Sequence, residues 1–263
     1  MSDFIDQFYD KQAAIGSIIK SKDILSGNQH TYPLEEMSKD EHILSKVEVT
    51  FSDNPASWRI CTMTKDGMPE EMVFSLTGVI VAKNLPPITS RPAINRAQLI
   101  YLKQAITLTG FGTSAFSQAL DGADLAYYIF AHHFKEGTLL PWQHSCSQSC
   151  LDYPSIDASN RYFLLRSQNP TSISHPFQPM VDPKSILTNL AKDELIHTEE
   201  NGVYYFKVQT ANPATFRVGD VVEAQITFCA WPTKGEKFTM TSVLRSLTLL
   251  DGSHSLRAAL ARK

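Results

Sequence analysis

Hydrophobic and polar residues alternate most regularly in the last third of the chain. In residues 221–231 (VVEAQITFCAW) every second side chain from Val222 to Ala230 is apolar, and those between are mostly polar. This period of two is typical of a β-strand with one buried face and one wet face. Turn-forming residues 233–236 follow, so we predict that residues 237–251 (KFTMTSVLRSLTLLD) return as an antiparallel partner.

Shorter β-prone runs precede this hairpin. Residues 47–51 (VEVTF) and 58–64 (WRICTMT) flank a turn-forming Ser-Asp-Asn-Pro segment. Lys65-Asp66-Gly67 is a hairpin signal before residues 72–82 (MVFSLTGVIVA), so these runs predict a small strand meander. Two further strand candidates are residues 161–166 (RYFLLR) and 203–209 (VYYFKVQ).

Helical spacing predicts two central helices. Ser90 as the cap and Pro92 in the first turn begin the first helix, which continues to residue 108 before two nearby glycines. Its apolar stripe consists of Ile94, Ala97, Tyr101 and Ala105. The second is predicted at residues 121–134, and a short helix with Asp182 as its cap at residues 185–195. Residues 136–160, rich in Ser and Pro, are predicted to be a long connection.

These elements predict an N-terminal arm at residues 1–46, made of a helix and a loop, and a single α+β domain at residues 47–263. The C-terminal β part covers about residues 160–252. The predicted fold class is α+β, with a mainly antiparallel sheet or a partial OB-like barrel and the two central helices packed on it. Residues 217–228 (RVGDVVEAQITF) favour the barrel, because Gly219-Asp220 is typical of the entry to a long curved strand.

Composition limits the cellular compartment and the binding partners that we expect. With 43% hydrophobic residues in 263, the chain can bury a large core without metal or disulfide staples. No apolar run approaches the ~20 residues of a spanning helix, and the acidic N-terminus does not resemble a secretory signal. We therefore expect an intracellular protein, cytoplasmic or nuclear, with reduced thiols and no membrane partner. The net charge of -3 argues against binding polyanions through a global positive field and leaves a local basic patch open.

Three segments carry a resemblance to a protein group. They are residues 197–201 (HTEEN), residues 216–225 (FRVGDVVEAQ) and residues 243–252 (VLRSLTLLDG). Over about residues 182–252 the chain resembles uncharacterised proteins that mushroom-forming (basidiomycete) fungi encode in many copies. The resemblance implies a fungal, intracellular protein and brings no known activity or site residue.

Nucleic acid is the first predicted partner, bound as a single strand near the C-terminal hairpin. Single-strand binders combine exposed aromatic side chains for base stacking with Lys or Arg for phosphates. The residues that could supply both are Tyr204, Tyr205, Lys207, Arg217, Trp231, Lys234, Lys237 and Arg245. Ordinary β-sheet roles explain the same residues, since aromatics favour strands and lysines at hairpin tips hinder edge pairing. A docking surface for another protein and a self-assembling structural protein, as a homo-oligomer, stay open as alternatives.

An enzyme is a further alternative, and no cofactor is expected except zinc in that case. Cys146 and Cys150 have metal-ligand spacing, His144 precedes them, and His132 could complete a tetrahedron. The same cysteines could serve as nucleophiles beside a histidine. Packing explains these residues as well, because free cysteines are often buried. Phosphate-binding glycine loops and a GxSxG elbow are absent from the sequence.

Overall fold

The computed structural model describes residues 5–25, 31–40, 44–53, 55–93, 95–144, 153–165, 180–191, 195–197, 203–206, 209–210 and 212–263. Its helices are Lys11–Leu25 (α1), Ser114–His133 (α2), Ile186–Leu190 (α3) and Ser253–Ala261 (α4). Its strands are Tyr32–Pro33 (β1), Val47–Asp53 (β2), Ala56–Met63 (β3), Pro69–Glu71 (β4), Phe74–Asn84 (β5), Lys103–Thr109 (β6), Ser155–Arg161 (β7), Phe163–Leu165 (β8), Leu195–His197 (β9), Val203–Phe206 (β10), Gln209–Thr210 (β11), Val221–Pro232 (β12) and Phe238–Asp251 (β13).

Five of these strands form a closed ring of paired neighbours. β5 pairs with β6, β6 with β7, and β12 with both β5 and β13, all antiparallel. β13 closes the ring by running parallel to β7, with Val243 opposite Ser159. The order β5-β6-β7-β13-β12, with one parallel pair, matches a partly open OB-like barrel of five strands. The predicted α+β class, with a mainly antiparallel sheet or a partial OB-like barrel, is confirmed.

Apolar side chains fill the ring, because each strand turns every second residue inward. On β12 the inward residues are those of the predicted alternation: Val222, Ala224, Ile226, Phe228 and Ala230. The opposite face was predicted to be wet, but Glu223, Thr227 and Cys229 on it are buried as well. α2 packs against the same cluster, with Phe116 at its N-terminal end and Phe130 near its C-terminal end. Gly110 makes this contact sterically feasible, because a Cβ there would lie 2.2 Å from the Cβ of Phe116.

The helix predicted from Ser90 to residue 108 is wrong. A 3-10 helix occupies Arg96–Tyr101, and Asn95 forms a capping box with Gln98. β6 follows directly, and its buried side chains at positions 104, 106 and 108 have the period of a strand. Of the apparent helical stripe, Ala97 and Tyr101 belong to the 3-10 helix and Ala105 to β6, whereas Ile94 lies outside the described residues. Of the two predicted central helices, therefore, only α2 is present, and it begins at Ser114 rather than at residue 121.

The remaining predictions for this part of the chain have mixed outcomes. Residues 136–160 contain most of β7, so the predicted long connection overlooked a central strand of the ring. The strand at 161–166 is confirmed as β8, which pairs with β9 outside the ring. The short helix is present as α3, but it ends at Leu190 and not at residue 195, where β9 begins. The carboxylate of Asp182 accepts hydrogen bonds from the amides of Ile186 and Thr188 at 2.7 and 2.8 Å.

The N-terminal helix lies on the outside of the ring. Ile18 of α1 joins Tyr9, Val79, Val221 and α4 in a second buried cluster. The hydroxyl of Tyr9 donates to the carbonyl of Gly219 at 2.7 Å, just before β12 begins. α1 lies within the predicted N-terminal arm, and the arm with its boundary at residue 46 stays a prediction. In the part of the chain that the structure describes, no helix is long and apolar enough to cross a membrane.

Candidate nucleic-acid interface

Arg245, the last residue of the predicted hairpin site, is engaged inside the protein. Its Nη2 lies 2.5 Å from Oε2 of Glu71, and Nη1 of Arg59 lies 3.3 Å from the same oxygen. Burial lowers the pKa of Arg245, and the Glu71 carboxylate opposes that shift. Since its side chain is 13% exposed, Arg245 serves an internal ion-pair network and is poorly placed to meet a phosphate.

The tip of the β12–β13 hairpin presents the charges that the sequence predicted. Lys234 and Lys237 are both exposed there. Trp231 is half-buried, and its indole N–H donates to Oγ1 of Thr241 at 2.7 Å. The hairpin therefore offers two exposed lysine side chains and an indole whose N–H already donates to another side chain.

The other predicted contacts are less defined. Arg217 is exposed, and its amide donates to Oδ2 of Asp220 at 2.7 Å in the turn before β12. Tyr204 and Tyr205 lie on β10, whose backbone runs parallel to β13 opposite residues 247 and 248. Lys207 lies outside the described residues.

The predicted zinc ligands are only partly placed. His132, near the end of α2, is exposed and contacts the carbonyl of Tyr128 through Nδ1 at 2.8 Å. His144 lies 3.1 Å from Oδ2 of Asp124 through its Nε2. Cys146 and Cys150 lie outside the described residues, so the zinc site stays a prediction. Elsewhere in the described ranges, no group of three acidic, His or Cys side chains converges as a metal site.

The two described cysteines do not have the chemistry of nucleophiles. Cys61 and Cys229 are buried free thiols on neighbouring strands. Burial raises the pKa of both, and the nearby Glu71 carboxylate raises each further. A thiol with a raised pKa stays protonated at neutral pH and is a weak nucleophile.

One cluster has the residue types of a hydrolase triad but a different geometry. It consists of Ser17, His254 and Asp251. Nε2 of His254 faces both the Ser17 hydroxyl at 2.8 Å and the Asp251 carboxylate at 3.1 Å. In a triad the histidine meets the serine through one ring nitrogen and the carboxylate through the other. Here both partners face Nε2, the Ser17 hydroxyl donates to the Asp251 carboxylate at 2.9 Å, and Arg257 lies 3.0 Å from Nδ1. The cluster therefore joins α1 to α4 structurally.

A basic segment that the sequence predictions overlooked forms two strands of the ring. Residues 72–120 contain no Asp or Glu and four basic residues: Lys83, Arg91, Arg96 and Lys103. The rest of the chain has 24 − 4 = 20 Lys and Arg against all 27 acidic residues, a balance of −7. β5, β6 and the loop between them lie in this segment, so this part of the ring carries basic and no acidic side chains.

Tyr101, Lys103 and Arg161 form an exposed group at one end of β6 and β7, which we call the Tyr101 surface. The side chain of Tyr101 is 62% exposed, and the guanidinium carbon of Arg161 lies 5.9 Å from its ring centroid. Lys103 lies directly opposite Arg161 in the antiparallel pair, and both side chains are exposed. The capping box at Asn95 and the buried Leu99 hold the turn that presents Tyr101.

β6 and β7 together carry one acidic side chain, which lies farther along the strands. Asp157 of β7 is exposed and accepts a hydrogen bond from Oγ1 of Thr107 at 2.6 Å. It lies four residues from Arg161 along β7, or about 13 Å at the usual rise of a strand. The Tyr101 surface thus combines an exposed ring and two cations, with the acidic group set apart from them.

Comparisons with protein-family models and with curated protein sequences find no match. Among solved structures, the chain is similar to gp2.5, a single-stranded DNA-binding protein encoded by bacteriophage T7. The identity is 9% and the TM-score 0.34, over 68% of this chain and 91% of that chain. It is also similar to the single-stranded DNA-binding protein from bacteriophage Enc34, with 10% identity and a TM-score of 0.35, over 78% of this chain and 90% of that chain. Likeness at this level is distant.

Proposed function

We propose that this protein binds single-stranded nucleic acid without chemical turnover, and that the Tyr101 surface is the centre of the site. The observation that carries the proposal is the exposed ring of Tyr101, with the guanidinium of Arg161 over it and the exposed Lys103 opposite Arg161 in the strand pair. An aromatic face stacks on any unpaired base, and flanking cations meet the phosphates on either side of it. A duplex keeps its bases stacked internally, so this arrangement selects a single strand.

The position of the Tyr101 surface on the ring supports the same function. In OB-like barrels, oligonucleotides bind to the face of the second and third strands and to the loops beside it. β6 and β7 occupy those positions here, and Tyr101 ends the loop that leads into β6. The absence of acidic residues from residues 72–120 keeps the neighbouring surface attractive to phosphates.

Fluorescence anisotropy with labelled oligo-dT and oligo-U strands at low salt tests the proposal. Replacing Tyr101 by alanine removes one stacked base, so we expect a loss of about 1–3 kcal/mol, or roughly 5- to 150-fold in affinity. Lys103→Ala removes one phosphate contact, and we expect the slope of log K against log salt to become shallower by about 0.7.

Two matched controls separate this surface from general effects. Tyr128→Ala removes a similarly exposed ring, 58% exposed on α2, and Lys65→Ala removes an exposed cation at the β3–β4 turn. Neither should change affinity or salt slope. If the paired change Lys234→Ala and Lys237→Ala weakens binding while Tyr101→Ala does not, the site lies at the hairpin instead. Undetectable binding to both strands at low salt refutes the proposed function.

A further inference from the structure

β2 is a long edge strand of the sheet with an exposed aromatic residue at its centre. Within the described part of the chain it pairs with β3 alone, in a register that runs from Val47↔Thr62 to Asp53↔Ala56. Every second residue of an edge strand directs its N–H and C=O outward, where another strand can pair with them. Phe51 is 46% exposed, and its ring lies only 5.2 Å from that of Trp58.

We propose that β2 of one chain pairs antiparallel with β2 of a second copy, so that the protein self-associates through this edge. The sequence VEVTFSD is complementary to itself in one register, in which Thr50 lies on the two-fold axis. All seven residues of β2 then find a partner residue, which no shifted register achieves. Because opposite residues share a face of the sheet, only registers that shift by an even number of residues compete.

Side-chain chemistry favours that register. Phe51 of each chain lies opposite Val49 of the other, which forms two aromatic–aliphatic pairs across the axis. Such cross-strand pairs stabilise a sheet, and these would cover the exposed ring of Phe51. Glu48 lies opposite Ser52 of the other chain, so no like charges meet directly. A shift that placed Glu48 opposite its own copy would incur repulsion.

Sedimentation equilibrium between about 2 and 200 µM tests self-association, since a two-strand interface below the standard size of about 800 Å² per partner predicts a weak dimer. The expected mass rises with concentration from 29.4 kDa toward twice that value. Phe51→Ser should weaken the dimer. A mass that stays at 29.4 kDa throughout the range overturns the proposal.

Charge variants test the register itself. Ser52→Lys places a lysine opposite Glu48 twice and should tighten the dimer, whereas Ser52→Glu places like charges there twice and should weaken it about tenfold. The double variant Glu48→Lys with Ser52→Glu restores opposite charges and should recover dimerisation. A dimer that is insensitive to these changes, while each variant keeps its circular dichroism spectrum and melting temperature, forms elsewhere and overturns the proposal.

Discussion

A buried glutamate on the outward face of β12 makes the stability of the fold depend on pH. The side chain of Glu223 is 5% exposed and lies between Thr77 of β5 and Thr248 of β13 in the paired strands. Burial, together with the nearby carboxylate of Glu35, raises the pKa of Glu223 from 4.5 to about 7. The charged form of Glu223 is therefore disfavoured in the folded protein.

The sign of the effect follows from proton uptake. Between pH 4.5 and about 7 the folded chain keeps a proton on Glu223 that the unfolded chain releases. This group therefore lowers the free energy of unfolding as pH rises through that window, and the loss is constant above it. At 1.36 kcal/mol for each pKa unit, the penalty is about 1 kcal/mol at pH 5 and about 3 kcal/mol at pH 8.

Urea unfolding of Glu223→Gln at pH 5 and pH 8 measures this penalty. Glutamine keeps the shape without the charge, so we expect the variant to gain about 2 kcal/mol more at pH 8 than at pH 5. With an m-value of about 3 kcal/mol/M, the urea midpoint at pH 8 should rise by about 1 M. Glu48→Gln, which replaces an exposed carboxylate on β2, is the matched control. An equal stability change at both pH values would refute the role of burial.

Three other substitutions test the ion-pair network and the packing. Glu71→Gln removes the charge that Arg59 and Arg245 share, and we expect a loss of about 3 kcal/mol in urea unfolding, because both guanidinium groups are largely buried; a loss below about 1 kcal/mol would contradict this. Gly122→Ala places a Cβ 2.3 Å from a backbone oxygen and should destabilise the fold by about 1–3 kcal/mol, whereas Gly16→Ala in α1 meets nothing within 4 Å and should stabilise it by about 0.5–1 kcal/mol. Thermal unfolding compares the two glycine variants, and the same sign for both would contradict the packing argument.

The local sequence pattern was sufficient to predict a strand where apolar and polar residues alternate within that strand. The alternation in residues 221–231 identified β12 and its inward face, and the turn after it identified β13. β7 lacked such a signal, because its inward residues are Ile156, Ala158 and Asn160, two of them poor β formers. β7 is held mainly by its pairing with β6, a contact about fifty residues away in sequence.

The candidate site could not be predicted from the sequence alone, because it depends on which residues of the ring strands pair with each other. The lack of acidic residues over residues 72–120 is visible in the chain alone and could have identified the basic side of the protein. What placed Arg161 beside Tyr101 was the β6–β7 pairing, which no local pattern contains. For the same reason, the ion pair of Arg245 was not predictable from the hairpin sequence, because its partner Glu71 is 174 residues away.

The net charge of -3 conceals the arrangement that matters for a polyanion. Because ionic screening limits each charge to about 8 Å at physiological salt, a phosphate chain responds to the charges nearest to it and not to their sum over the molecule. The ring pairs β5 with β6, and the segment that holds both strands and the loop between them has four basic and no acidic residues, whereas all 27 acidic residues lie in other parts of the chain. For the proposed function, this distribution favours the approach of a strand to one part of the surface over general adhesion.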